Sequence, residues 1–91
     1  MTQSPEKLPI GNNKTPSVVV QSSADLGAIV RDRRKRLALN QLDLAGLANN
    51  GNRFIVDVEN GKPTVQLQKV LDLVQLLGLE VVVRAKTARV P

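Results

Sequence analysis

Ninety-one residues carrying a formal charge of +5 leave room for one compact domain, with a core that is marginal at this size. The absence of cysteine and histidine excludes disulfide frameworks, thiolate metal sites and every catalytic arrangement built on an imidazole. The remaining carboxylates are scattered, so neither an enzyme nor a metal or other cofactor is expected.

Phe54 is the single aromatic residue, which argues against modules that stack single-stranded bases on aromatic side chains. An isoelectric point near 10.3 favours a polyanionic partner, nucleic acid or membrane surface. No apolar run is long enough to span a membrane. No charged region followed by an apolar one opens the chain as a signal peptide would, so a cytoplasmic location is expected.

In chain order, residues 1–21 read as an N-terminal arm. Pro5, Pro9, Gly11, Asn12, Asn13 and Pro16 interrupt any period, so residues 1–15 are expected to be disordered. The β-branched run Ser17-Val18-Val19-Val20-Gln21 fits a short strand or an extended linker equally well. Ser22 and Asp25 have the spacing of a capping box and start the first helix. Leu26, Ile29, Val30, Arg33 and Leu37 follow at helical spacing as its expected inner face. Five of the six residues Arg31 to Arg36 are basic, Asp32 being the exception. A solvated face and a footprint for a polyanion both fit that run.

Asn40 is placed to cap a short second helix over Gln41 to Ala48, with Leu44, Ala45 and Ala48 inward. Asn49-Asn50-Gly51 supplies residues that tolerate positive φ, as a tight turn between helices requires. The third helix, Asn52 to Asn60, turns Ile55 and Val58 inward and ends at Gly61. After Lys62-Pro63 a fourth helix is expected from Thr64 to Leu77. Leu67, Val70, Leu71, Val74 and Leu77 form one stripe, and Leu73 with Leu76 a second. Apolar side chains over most of the girth imply burial on two sides, and the second side suggests a subunit interface. Gly78 closes the helix, and Leu79 to Arg84 alternates as a strand does. Its partner would be Val18 to Gln21 or the same strand of a second copy.

The stretch Leu39-Asn40-Gln41, Leu44-Ala45, a tight turn, then Ile55-x-x-Val58-Glu59-Asn60-Gly61-Lys62 resembles the Cro/repressor-type (XRE) helix-turn-helix family. The resemblance spans residues 22 to 78 without a gap between Asn40 and Lys62. It implies a mainly α fold, a four-helix repressor-like domain that reads duplex DNA with the third helix. With Ile55 and Val58 inward, Asn52, Arg53, Val56 and Asp57 point away from the core, at positions where the family contacts bases. Each suits a base edge: Arg53 the O6 and N7 of guanine, Asn52 adenine, Asp57 a cytosine amine, Val56 a thymine methyl. A solvated helix face is the bland alternative. The resemblance also implies backbone contacts from Gln41, with Asn40, Arg34 and Lys62 beside it. It further implies an ion pair between Arg34 and Glu59, which would make Arg34 part scaffold and part phosphate contact. The sequence departs from the family at Gly51, where a capping side chain is usual, and at Leu42 and Leu47, where polar residues are usual.

The strand after the fourth helix, with Asp25-Leu26-Gly27 and Asn52-Arg53-Phe54-Ile55-Val56-Asp57, looks like the HipB-like antitoxins. That branch implies a homodimer sealed by paired C-terminal strands, with Leu79, Val81, Val82, Val83, Leu73 and Leu76 at the seam. It also implies a repressor of its own operon, nucleoid-associated when bound to DNA, with a HipA-like kinase toxin as partner. The expected organisation is then an arm (1–21), a DNA-binding domain (22–78), and a dimerisation strand with a short tail (79–91). A plain autoregulator without a toxin, or an interaction module with a degenerate helix-turn-helix, are the other readings. Phe54 fits either a place under the third helix or a stack on a DNA sugar.

Overall fold

The computed structural model describes residues 17–86. The disorder expected over residues 1–15 lies outside that range, as does the end of the tail, residues 87–91. Four helices follow one another: α1 (Ser23–Arg36), α2 (Gln41–Ala48), α3 (Asn52–Glu59) and α4 (Leu67–Leu76). They close on one core of Val30, Leu44, Ala45, Ile55, Val58, Val70, Leu73, Val74 and Leu77, all nearly inaccessible to solvent.

The helix starts follow from side chains that occupy first-turn amides. Ser22 Oγ accepts from the Asp25 amide at 3.0 Å, and the Asp25 carboxylate accepts in turn from the Gln21 amide at 3.0 Å. At α2 the capping box is complete: Asn40 Oδ1 accepts from Asp43 N–H at 2.7 Å, and Asp43 Oδ2 accepts from Asn40 N–H at 3.1 Å. Gly51, before α3, provides no side-chain cap, as its lack of a side chain dictates.

The helix ends share one device. After each, a residue in the left-handed region turns the chain so that two successive amides donate back to carbonyls of the last turn. The left-handed residues are Ala38 (φ 60°), Asn49 (φ 56°), Gly61 (φ 80°) and Gly78 (φ 78°). The bonds Leu39 N–H to Arg34 O and Lys62 N–H to Asp57 O are two of the wider closures, at 3.1 and 2.9 Å.

Several expectations are corrected. The buried face of α1 is Gly27, Val30 and Arg34, not a stripe ending at Leu37, which is exposed. The fourth helix begins at Leu67, because Pro63 to Val65 form a turn held down by Val65 against the core. Leu67 is therefore exposed, and the inward positions of α4 are Val70, Leu73, Val74 and Leu77. Leu73 belongs to this protomer's own core and is unavailable to a subunit seam, whereas Leu76 is open.

Residues 79–85 carry no regular secondary structure, and neither do residues 17–21. The strand expected over 79–84 does not form within the single chain, since the two segments do not pair and a strand exists only through a partner's hydrogen bonds. Leu79 packs against the core, while Val81, Val82 and Val83 are exposed, Val83 at 92%. Among the described residues no helix is long and apolar enough to cross a membrane.

Candidate nucleic-acid interface

The outward face of α3 depends on how tightly its back is held. Gly27 sits where α1 crosses α3: a methyl group there would collide with the carbonyl oxygen of Val58 and lie 2.9 Å from that of Glu59. The absent side chain thus lets the two backbones touch. One turn earlier on α1, Ser23 Oγ donates to Gly61 O at 2.8 Å, fixing the loop that leaves α3. Ile55 and Val58 fill the space between these points and the core.

A second fixture is polar. The Glu59 carboxylate, with its side chain 2% exposed, accepts from Arg34 Nε at 2.6 Å and from Arg34 Nη2 at 3.0 Å. The same carboxylate accepts from Gln41 Nε2 at 3.1 Å. Arg34 Nη1 donates to the Leu39 carbonyl at 2.8 Å, beside the entry to α2. One carboxylate therefore ties α1, α2 and α3 together. Its hydrogen bonds raise the Arg34 guanidinium above its ordinary range against the opposing effect of burial, so the group stays charged.

The expected Arg34–Glu59 pair is present, and the Gln41 arm is an addition that sequence reasoning missed. Arg34 is 7% exposed with all three nitrogens committed inside the protein. That corrects the expectation of a phosphate contact: Arg34 is a brace. Arg33, its neighbour, donates from Nε to the Leu77 carbonyl at 2.8 Å, at the end of α4. Two of the five cations in the basic run are thus structural, and Arg31, Lys35 and Arg36 are exposed. Arg36 is further engaged with Asp32 at 2.8 Å.

The outer face of α3 carries Asn52 and Arg53 in full exposure, and Val56 and Asp57 half-buried. Arg53, its side chain 84% exposed, pairs with Asp57 at 3.1 Å, and Lys62 pairs with the other oxygen of Asp57 at 3.5 Å. Beside this face a polar groove is lined by Arg31, Asn40, Gln41, Val56 and Asn60, with the Arg34–Glu59 pair at its floor. Arg31 and Asn60 join the candidate residues here; the sequence marks them only as part of the basic run and as the end of the third helix, and it is the fold that brings the end of α3 alongside α1. The α2 N-terminus opens on the groove, with Asn40 and Gln41 at its mouth. Phe54 is half-buried against the core with the Lys69 ammonium 5.8 Å from its ring centre. That position is the one under the third helix.

Two short helices joined by the turn at residues 49–51, the second pinned from behind and bare in front, define a helix-turn-helix. No protein-family model matches the chain. It is 49% identical over 70 residues to y4mF of Sinorhizobium fredii, described as an uncharacterized HTH-type transcriptional regulator, covering 77% of this chain and 92% of that one. The chain belongs to the HTH-type transcriptional regulators. Its fold is that of HipB. A HipB variant in complex with an O2 20mer superposes with a TM-score of 0.71 at 18% identity, over 78% of this chain and 99% of the other. HipB within a HipA–HipB–O2–O3 complex gives 0.70 at 18% identity, over 77% of this chain and 99% of the other.

Proposed function

We propose that this regulator is a sequence-specific repressor that reads the major groove of duplex DNA with α3, as a homodimer, and serves as the antitoxin of a HipB-like toxin–antitoxin operon. The observation that carries the DNA half is the bracing of α3. Glu59 and Gly27 fix its back to two helices while Asn52 and Arg53 stand clear in front. A side chain that discriminates base edges must be held in register, and side chains on a braced helix are.

In this reading Asn52, Arg53 and Val56 face base edges. Asn40, Gln41 and Lys62 meet phosphates, with Arg31 across the groove. The α2 amides and helix dipole favour an anion at the same place. Dimerisation would use Val81 to Val83 with Leu76 and Leu79, giving the exposed valines a partner and setting two α3 helices about 34 Å apart, one turn of DNA. The antitoxin role is supported by the likeness to HipB, one of whose structures also holds HipA.

The test starts by selecting a duplex from a random library with the full chain and measuring its affinity across salt. Arg53→Ala should relax preference at one base pair, at a cost of about 1–3 kcal/mol in discrimination. Gln41→Ala should instead weaken all duplexes alike. Weak binding with no salt dependence and no preference would refute the DNA reading. For the antitoxin role, the tagged protein is purified from its native host: a kinase-like partner supports it, and the homodimer alone refutes it.

A further inference from the structure

The ion pairs on the front of α3 run against the helix that carries them. Arg53 lies in the first turn of α3, at the positive end of the helix dipole, and Asp57 in the last turn, at the negative end. Reversing the two would suit the helix better, since an acidic residue preceding a basic one by four is the more stabilising order. Helix stability therefore does not account for the arrangement.

Asp57 is also the most enclosed member of the trio. Its side chain is 16% exposed, against 84% for Arg53 and 50% for Lys62. Its backbone carbonyl accepts the Lys62 amide at 2.9 Å, so the turn after α3 delivers Lys62 to the carboxylate. The result is one anion shared by two cations, one proposed above to read a base and the other to hold a phosphate.

We infer that Asp57 is a specificity-setting residue that competes with DNA for Arg53 and Lys62 and does not itself read a base. The inference rests on the DNA-binding reading above. While the carboxylate holds both cations, a random duplex gains less from them, because each phosphate must first draw a cation away from Asp57. The negative charge also repels phosphates that approach the front of α3. A guanine presents two acceptors to the guanidinium fork, enough to replace the single Asp57 oxygen that Arg53 gives up. Correct sites are thus favoured by what they return to Arg53, and incorrect ones are penalised by what they take away.

The experiment compares the full chain with Asp57→Asn, first checking by thermal melting that both fold. Two probes are used, the duplex selected from the random library and a random-sequence 30-bp duplex. The carboxamide should bind the random duplex about 3- to 10-fold more tightly, from two weak ion pairs released. Its salt dependence should steepen by about one phosphate contact's worth of slope. Affinity for the selected duplex should rise less, so that the ratio between the two probes falls. In a Lys62→Gln background the gain on the random duplex should shrink, because one of the two released cations is missing.

A loss confined to one base pair of the selected duplex, with random binding unchanged, would show that Asp57 reads a base and would overturn the inference. So would unchanged affinity for both probes, or an undiminished gain in the Lys62→Gln background. If the unsubstituted chain binds neither duplex, the DNA-binding reading itself fails and takes the inference with it.

Discussion

Glu59 ties together more of the fold than any other side chain among the described residues. It accepts three hydrogen bonds from residues of two other helices while almost wholly buried. A buried ion pair contributes little net stability, because desolvation offsets most of the attraction, but stranding one partner is costly. Glu59→Gln keeps the shape and removes the charge, leaving the Arg34 guanidinium buried without a counter-ion. We expect a loss of about 3–5 kcal/mol in unfolding free energy, measured by urea titration.

How much of this scale was legible in the sequence varies with the residue. Glycines 61 and 78 and the Asn49–Gly51 triplet announce left-handed turns because their residue types are the ones that tolerate them. Ala38 occupies the same conformation with no such mark, and only the hydrogen bonds around it give it away. Gln41 carries one amide that suits a phosphate or a carboxylate, and nothing in its spacing says that Glu59 lies within reach.

Among the elements, α1 departs furthest from a simple apolar stripe. Its inner face is Gly27, Val30 and Arg34, spaced correctly for a helix but containing one residue with no side chain and one with a charge. Apolar periodicity picks out Val30 and the partly buried Leu26 but passes over Gly27 and Arg34, and it extends the face to Leu37, which is open to solvent. The shorter helices were legible almost to the residue, since Asn40 and Gly61 mark their ends chemically. The start of α4 was not, because nothing in Thr64 to Gln66 excludes them from the helix, and the chain turns there with Val65 packed on the core.

The α1–α3 crossing yields a prediction whose sign is opposite to the usual one. Gly to Ala in the middle of an open helix adds about 1 kcal/mol of stability. At Gly27 the added methyl meets backbone carbonyls of α3 that have no freedom to rotate away. Gly27→Ala should destabilise the fold by about 1–3 kcal/mol, as overpacking does, and should weaken duplex binding by shifting α3. Thermal melting and a duplex titration on the same sample check both.

For the whole molecule, the chain is too small to bury all the apolar surface it carries. Val18, Val19 and Val20 at one end and Val81, Val82 and Val83 at the other are exposed, as are Leu67 and Leu76 on α4. If the C-terminal segment seals a dimer, removing residues 80–91 while keeping Leu79 on the core should give a folded monomer by light scattering. Its affinity for a two-half-site duplex should fall about 100-fold or more, since the two contacts would no longer be linked. A truncated chain that remains dimeric would place the seam elsewhere. The alternation over residues 79–84 is a pattern in the sequence, and within the single chain it forms no strand.

Arg33 and Arg34 are consecutive on α1 and grip opposite things. One holds the carbonyl of Leu77, where the chain departs toward the proposed seam; the other holds α3 through Glu59. In a dimer these two grips make α1 a calliper, its jaws being the reading edge and the point at which each subunit reaches for the other. The two grips lie one residue apart on a single helix. If the seam lies at that end, duplexes whose half-sites are moved apart should bind more weakly than the matched spacing, and a titration of spacing variants checks it.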